Sequence, residues 1–290
     1  MSVQKIGVVG AGMMGSEISL VFALAGKNVM MNDTEQANLD RAMAALERTL
    51  DAGIGRGFFA EEDKSRVLAN IHLATDLGEF GDRELIIEAV FEDEQVKAEV
   101  LGRLDAVCSE DAIIASNTSS ISMTALGAHL PEARRENFVG LHFFSPVSRM
   151  KLVEVIRALE SGDRAIDVAT KACEEAGKVP IQVKDVVGFA VNRMLFALWN
   201  EAMRLVEEGA CTPEDVDIGC KLGLGHPVGP FELMDNTTNK LNMQVSEILH
   251  KEYGERFLPR PILRQKAAAG HFGRKAGRGW YRYEGGKKLG

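Results

Sequence analysis

Residues 6–15 read IGVVGAGMMG. Ile6-Gly7-Val8-Val9 is a short apolar run with the composition of a buried strand. Gly10-Ala11-Gly12-Met13-Met14-Gly15 then supplies a GxGxxG. Met14, Ile18, Val21, Phe22 and Ala25 recur on one helical face, and Gly26 is a natural stop. Residues 28–32 read as a second strand that ends beside Asp33, and a long helix is expected from about Glu35. Glycine-rich turns are common, so a turn that binds nothing is the competing reading. The strand before it, the helix after it and the acid at the end of the next strand weigh against that. Together they form the dinucleotide-binding pattern. Gly10 makes the tight turn, Gly12 lets the backbone approach a pyrophosphate, and Gly15 allows close helix–strand packing. Met13 and Met14 open the helix whose positive N-terminus receives the phosphates. Asp33 is expected to accept hydrogen bonds from a ribose diol. Its charge would repel a 2′-phosphate, which favours NAD over NADP.

Outward from this stretch the alternation continues. Apolar runs recur at residues 85–87, 112–115, 139–144, 152–156 and 179–183, with helical stretches between several of them. Such alternation predicts a largely parallel sheet covered on both faces. Residues 53–60, GIGRGFFA, read as a glycine-rich break carrying two exposed phenylalanines. Near Lys184 the pattern changes to long helical periodicity, beginning with residues 187–208. The expectation is an α/β chain: an N-terminal Rossmann-type NAD-binding domain over residues 1–184, then an all-helical domain over residues 185–290 for substrate binding and dimerisation. The apolar faces of residues 187–208 and 229–249 exceed what a small domain buries alone, so a homodimer is expected. Residues 285–290 read as a short polar tail.

Bulk composition narrows the partners. The chain has 290 residues, 46% of them hydrophobic, enough for one large or two medium cores. A net charge of -8 argues against nucleic acid or an anionic membrane as the main partner. No apolar run is long enough to span a bilayer, and MSVQKIGVVGAG runs straight into a strand with no signal-peptide pattern. Cys108, Cys173, Cys211 and Cys220 have no metal-type spacing, so no metal is expected. They read as reduced thiols of a cytoplasmic protein.

Three segments put polar groups where strands end. ASNTSS, residues 115–120, follows an apolar strand, and in open α/β sheets the carboxyl ends of strands face the ligand crevice. In GLHFFSP, residues 140–146, a histidine interrupts an apolar strand, and in KLVEVI, residues 151–156, a glutamate does the same. Alone, His142 reads as a core histidine and Glu154 as a buried acid with an arginine partner. A strand, a proline turn and a returning strand would set them side by side. A buried carboxylate is costly unless paired, and a paired imidazole becomes an oriented base.

At this point the chain resembles the short-chain 3-hydroxyacyl-CoA dehydrogenases, including the bacterial 3-hydroxybutyryl-CoA dehydrogenases. The resemblance rests on GLHFFSPVSRMKLVEVI with ASNTSSIS before it and VGFAVNRML after it. It extends from GAGMMG through LGLGHPVGPFEL to GRKAGRGWYRY. It implies a soluble NAD-dependent enzyme of fatty-acid metabolism that oxidises a 3-hydroxyacyl-CoA reversibly, working as a homodimer. By motif position the resemblance implies His142 as general acid/base and Glu154 as its orienting acid. It implies Ser119 and Asn192 as catalytic contacts to the substrate oxygen, in a site drawn from both domains. Glu88, Lys97 and Asn117 match positions that line the cofactor side.

Three features depart from the family pattern. Ser145 stands where most short-chain members have asparagine. Residues 236–241, NTTNKL, replace the usual Gly-Leu-Asp continuation. The region around residues 50–60, often lysine-rich where it meets CoA, holds Arg56 as its sole cation. Two alternatives stay open. One is a related dehydrogenase of a free hydroxy acid or unusual carboxylate. The other is a catalytically inactive NAD-binding structural homologue.

Overall fold

The computed structural model describes residues 2–289. Met1 and Gly290, which bound the expected domains and close the tail 285–290, lie outside the described residues. The chain divides into two compact units, Met1–Phe189 and Ala190–Gly290.

The first unit runs β1 (Lys5–Val9), α1 (Met13–Leu24), β2 (Asn28–Asn32), α2 (Gln36–Ile54), α3 (Glu61–Ala69), β3 (Ile71–Ala74), β4 (Leu85–Glu88) and α4 (Glu94–Val107). It continues with β5 (Ile113–Ser116), α5 (Met123–Ala128), α6 (Glu132–Arg135), β6 (Phe138–Phe143), β7 (Leu152–Arg157), α7 (Asp163–Glu175) and β8 (Val179–Lys184). The strands form one 8-stranded sheet in the order β3-β2-β1-β4-β5-β6-β7-β8. All neighbours are parallel except β6 and β7. The order reverses at β1, so a crevice opens where the chain leaves β1 and β4 in opposite directions.

Side-chain alternation explains why both faces are covered. Leu85, Ile87, Ala115, Val139 and Leu141 join a core cluster with α1, α2 and α7. Ile86, Ile114, Phe138 and Ile156 join a second cluster with α4 and α5. Each fully buried Val, Leu, Ile or Phe among them contributes roughly 1.5–3 kcal/mol, so a one-residue slip would forfeit a whole face.

The sequence reading passes over β3. IHLA buries only Ile71 and Ala74, and it lies at the sheet edge, so neither alternation nor a continuous apolar run marks it. The break after α2 also starts later than expected, because Gly53 still belongs to the helix. Gly53 is needed there, since a Cβ would lie 2.2 Å from the Phe59 ring. Phe59 therefore packs on the core, and of the two phenylalanines expected in the open only Phe58 is so, at 64% exposure.

The second unit holds α8 (Val191–Glu207), α9 (Pro213–Gly223), α10 (Pro230–Thr237), α11 (Asn239–Tyr253) and α12 (Pro261–Ala268). α8 starts at Val191 and not at Val187, because Gly188 and Phe189 take left-handed φ values of 74° and 47°. The unit is helical as expected, with one correction. The tail forms a small antiparallel hairpin, β9 (Tyr283–Glu284) and β10 (Lys287–Lys288). Two buried aspartates anchor the segment leading to it. Asp217 accepts from the Tyr281 hydroxyl at 2.6 Å, and Asp235 accepts from the N–H groups of Trp280 and Tyr281 at 2.8 and 3.0 Å.

The departure at residues 236–241 has a structural account within this unit. The Thr238 hydroxyl caps α11 by accepting from the Leu241 N–H at 3.2 Å. Asn239, fully buried, donates to the His271 carbonyl and accepts from the Trp280 indole. The polar run thus starts a helix and holds the C-terminal segment. Among the described residues no helix is long and apolar enough to cross a membrane.

Candidate active site

The crevice beyond β1 contains a cavity of about 710 Å³, whose lining includes Gly12, Met13, Asp33, Asn38, Arg41 and Arg103. The glycines divide its construction. Gly10 takes φ 99°, and a Cβ there would sit 2.8 Å from the Ala89 carbonyl oxygen. A Cβ at Gly15 would lie 1.8 Å from the Gly10 carbonyl oxygen, so α1 can approach its strand only without one. At Gly12 a Cβ would meet nothing within 4 Å, so the backbone there faces open space. No side chain caps α1 at Gly12, which leaves N–H groups of the first turn directed outward. Uncapped donors at a positive helix end, beside an open backbone, fit a pyrophosphate. Asp33 stands at the end of β2. Its carboxylate accepts from the Ala11 N–H at 3.0 Å and from the Asn38 side chain at 2.7 Å. The residues present therefore fit a dinucleotide.

His142 and Glu154 come together because β6 and β7 run antiparallel with these two residues directly opposed. The turn between the strands contains a cis Ser145–Pro146 bond. His142 Nδ1 lies 2.8 Å from Glu154 Oε2, with the carboxylate fully buried and the imidazole 5% exposed. An ionised carboxylate can only accept, so Nδ1 carries the proton and donates. That leaves the Nε2 lone pair with no hydrogen-bond partner among the described residues. The ring sits between Phe144 and Phe189, at centroid distances of 4.5 and 5.6 Å.

The loop after β5 is held by residues from β4 and its neighbourhood. Asn117 is buried, and its Oδ1 accepts from the Phe143 N–H at 2.9 Å, next to His142. Ser119 is exposed on the loop. Glu92, which the sequence reading overlooks, organises this loop. One of its oxygens accepts from the Thr118 hydroxyl at 2.6 Å and the N–H groups of Ser119 and Ser120 at 2.7 and 2.9 Å. Burial works to raise the Glu92 pKa, but the Lys97 ammonium and these donors outweigh it and hold the carboxyl below its ordinary value. The available signal was its place one residue before Asp93. Asp93 caps α4 by accepting from the N–H groups of Gln95 and Val96, which leaves Glu92 free to turn outward.

Glu88, at the end of β4, and Lys97, on α4, face each other. They form a buried ion pair at 2.8 Å, exposed 0% and 1%, and neither lines the cavity. Glu88 also accepts from the Val90 N–H at 2.7 Å and the Ser116 hydroxyl at 2.6 Å. An aliphatic strand environment demands full pairing of such a carboxylate, so both side chains point inward and support the segment above them. Arg56 is exposed in the turn after α2. A second cation stands near that turn: the Arg149 guanidinium lies 5.8 Å from the Phe58 ring centroid. Asn192 lies in the first turn of α8, half-buried. The cysteines are free thiols, and burial pushes Cys108 up to about 11 and Cys173 up to about 12, away from thiolate chemistry.

Comparison with known proteins matches two family descriptions. "3-hydroxyacyl-CoA dehydrogenase, NAD binding domain" covers residues 5–186, and "3-hydroxyacyl-CoA dehydrogenase, C-terminal domain" covers residues 188–283. A probable 3-hydroxybutyryl-CoA dehydrogenase of Deinococcus radiodurans is 39% identical over 280 residues, covering 96% of this chain and 100% of the relative. A 3-hydroxybutyryl-CoA dehydrogenase of Bradyrhizobium diazoefficiens is 37% identical over 288 residues, covering 99% of this chain and 98% of the relative. The crystal structure of an (S)-3-hydroxybutyryl-CoA dehydrogenase from Ralstonia eutropha superposes with a TM-score of 0.93 at 39% identity. That match covers 98% of this chain and all of the other.

Proposed function

The chain belongs to the NAD-dependent 3-hydroxyacyl-CoA dehydrogenase family, and on that premise we propose that His142 is its general acid/base and Glu154 the group that orients it. The activity is the reversible oxidation of a 3-hydroxyacyl-CoA to the 3-oxoacyl-CoA. Bound NAD supplies the hydride acceptor. The His142 Nε2 lone pair takes the hydroxyl proton during oxidation and returns it during reduction. Glu154 holds Nδ1–H in place and offsets the imidazolium charge that forms. The observation that carries this reading is the 2.8 Å contact, which leaves Nε2 as the free end of the imidazole.

The remaining assignments follow from it. Ser119 and Asn192 are the proposed donors to the substrate, each tested by its own alanine variant read as kcat. Gly10, Gly12, Met13, Met14 and Gly15 are the proposed pyrophosphate cradle, with Asp33 on the ribose diol. Glu88, Lys97 and Asn117 act on the cofactor side from beneath, by holding the segments that bear it. Arg56 is the proposed contact for the anionic part of CoA, and Arg149 beside Phe58 adds a second cation to that region. A homodimer in the cytoplasm completes the reading. Ile218, Leu222 and Leu224 are 51%, 84% and 65% exposed in the second unit, which supports association. Light scattering that finds a monomer at micromolar concentration counts against the dimer.

The decisive experiment follows NADH absorbance with 3-hydroxybutyryl-CoA and, separately, with free 3-hydroxybutyrate. Turnover of the thioester is expected. Turnover of the free acid alone overturns the CoA assignment, and NAD binding without turnover of either overturns the catalytic one.

A further inference from the structure

The cavity that fits the dinucleotide has a cationic side chain beside its acidic one. Asn38 lies in the first turn of α2 and Arg41 follows it by three residues, so both occupy one helix face. The Arg41 guanidinium donates to the Asn38 Oδ1, and the Asn38 Nδ2 donates to Asp33 Oδ1 at 2.7 Å. The arrangement fixes the amide orientation, since reversing it would set oxygen against carboxylate and nitrogen against guanidinium. Asp33 Oδ1 also accepts from the Glu35 N–H at 3.2 Å. The result is a directed chain from cation through amide to carboxylate along the cavity lining.

Arg41 and Arg103 are the two arginines that line the cavity, and of them Arg41 is the one bonded through Asn38 to Asp33. It is exposed, it lines the cavity, and among the described residues no carboxylate lies within ion-pair distance of it. A carboxylate near a ribose 2′-position repels a phosphate there, and a guanidinium within reach of the same position attracts one bidentately. This site holds both, linked by one amide. We propose that Arg41 is a specificity-determining residue that gives this cavity a latent affinity for a 2′-phosphorylated dinucleotide. Asp33 opposes that affinity, and Asn38 couples the two. The inference rests on the reading of Asp33 as the ribose ligand. It goes further in assigning roles to two residues that the NAD preference alone does not require.

The test measures binding of NADH and NADPH to the full chain by nucleotide fluorescence, without turnover. In Arg41→Ala, the NADPH Kd is expected to rise by about 10-fold or more, the scale of a lost charged hydrogen bond. The NADH Kd should stay within about twofold, because a neutral ribose diol makes no ion pair with Arg41. Equal weakening of both nucleotides, or of neither, overturns the proposal. In Asp33→Ser, NADPH should gain on NADH by about 10–100-fold, and adding Arg41→Ala should reverse most of that gain. A gain that survives Arg41→Ala overturns the role of Arg41 and leaves Asp33 standing. No gain in Asp33→Ser removes Asp33 from the ribose, while the Arg41 comparison in the wild-type background still decides its own question. Asn38→Leu frees both charged groups, and a several-fold narrowing of the NADH preference is expected. An unchanged preference breaks the coupling.

Discussion

Two regions of this molecule bury carboxylates equally well and use them differently. In the first unit Glu154 is fully buried against His142. In the second, Asp217 and Asp235 are exposed by only 1% and 2%. Asp217 accepts from the N–H groups of Phe231 and Glu232 and from the Tyr281 hydroxyl. Asp235 accepts from the N–H groups of Trp280 and Tyr281 and from the Tyr283 hydroxyl. Every donor to these aspartates is a backbone amide or a phenol, and burial raises both phenols' pKa further. None of them changes its charge near neutral pH. Glu154 is bonded to an imidazole whose second nitrogen has no hydrogen-bond partner among the described residues. Burial of an acid therefore does not distinguish chemistry from architecture. The identity of its partner does.

The comparison breaks most sharply at His142. In His142→Gln, kcat should fall by ~10²–10⁴-fold, the usual worth of a positioned general base. The NADH Kd should hold, because the glycine cradle is built from other residues. Stopped-flow NADH formation separates hydride transfer from binding. Near-wild-type turnover would return His142 to the status of a core residue. Glu154→Gln should cost less, about 10–100-fold in kcat, as for a residue acting through its neighbour. A loss equal to that of the histidine variant would show that Glu154 does more than orient.

Asp235→Ala should do the reverse. It strips the acceptor from the buried Tyr281 N–H and from the part-buried Trp280 N–H and Tyr283 hydroxyl, and a buried unsatisfied group costs about 1–3 kcal/mol. Thermal unfolding should shift clearly downward, while kcat per folded molecule stays within about twofold, as expected for a clamp that touches no substrate. A large fall in kcat at unchanged stability would erase the distinction between the two regions.

The smallest effect sharpens the comparison through pH. Burial is the leading cause that raises Asp217 and Asp235 above the ordinary aspartate value, despite their donors. A raised folded pKa favours the protonated form. That stability is full below about pH 4, the unfolded aspartate range, and is lost as pH rises through the folded pKa. Glu92 in the first unit has the opposite sign. Its lowered pKa gives stability that is present above the ordinary glutamate value and is lost as the pH falls through the folded pKa. Asp235→Asn should therefore flatten the stability profile on the side above about pH 4, and Glu92→Gln should flatten it on the acid side. Urea midpoints across pH 3–8 check both, and the same limb flattening in both variants would contradict the assignment of signs.

How much of this was legible beforehand depended on the range of the signal. The strand–GxGxxG–helix unit is local as a pattern: Gly15 answers to the Gly10 carbonyl five residues earlier, although Gly10 itself answers to Ala89. The meeting of His142 and Glu154 is readable too, because a two-residue side-chain period and one short connection between neighbouring strands bring the two polar interruptions to the same face. Glu88 and Glu92 could not be separated that way. They share one short segment and one residue type, and only the packing shows that Glu88 is buried against Lys97 while Glu92 reaches the Ser119 loop. The edge strand β3 escaped because half of its residues face solvent.

Sequence alone determined where the chain must turn tightly, where α1 begins, and which polar residues interrupt apolar strands, since these are properties of neighbours along the chain. Tertiary structure decided the partners of the buried charges. Glu88 meets Lys97 of α4, and the C-terminal segment closes on Asp217 and Asp235. The reason is physical. Local propensity acts over a few residues, whereas the cost of a buried charge is offset by whatever group the folded chain brings within hydrogen-bond reach. In this protein that group is often far away in sequence: 45 residues separate Asp235 from Trp280.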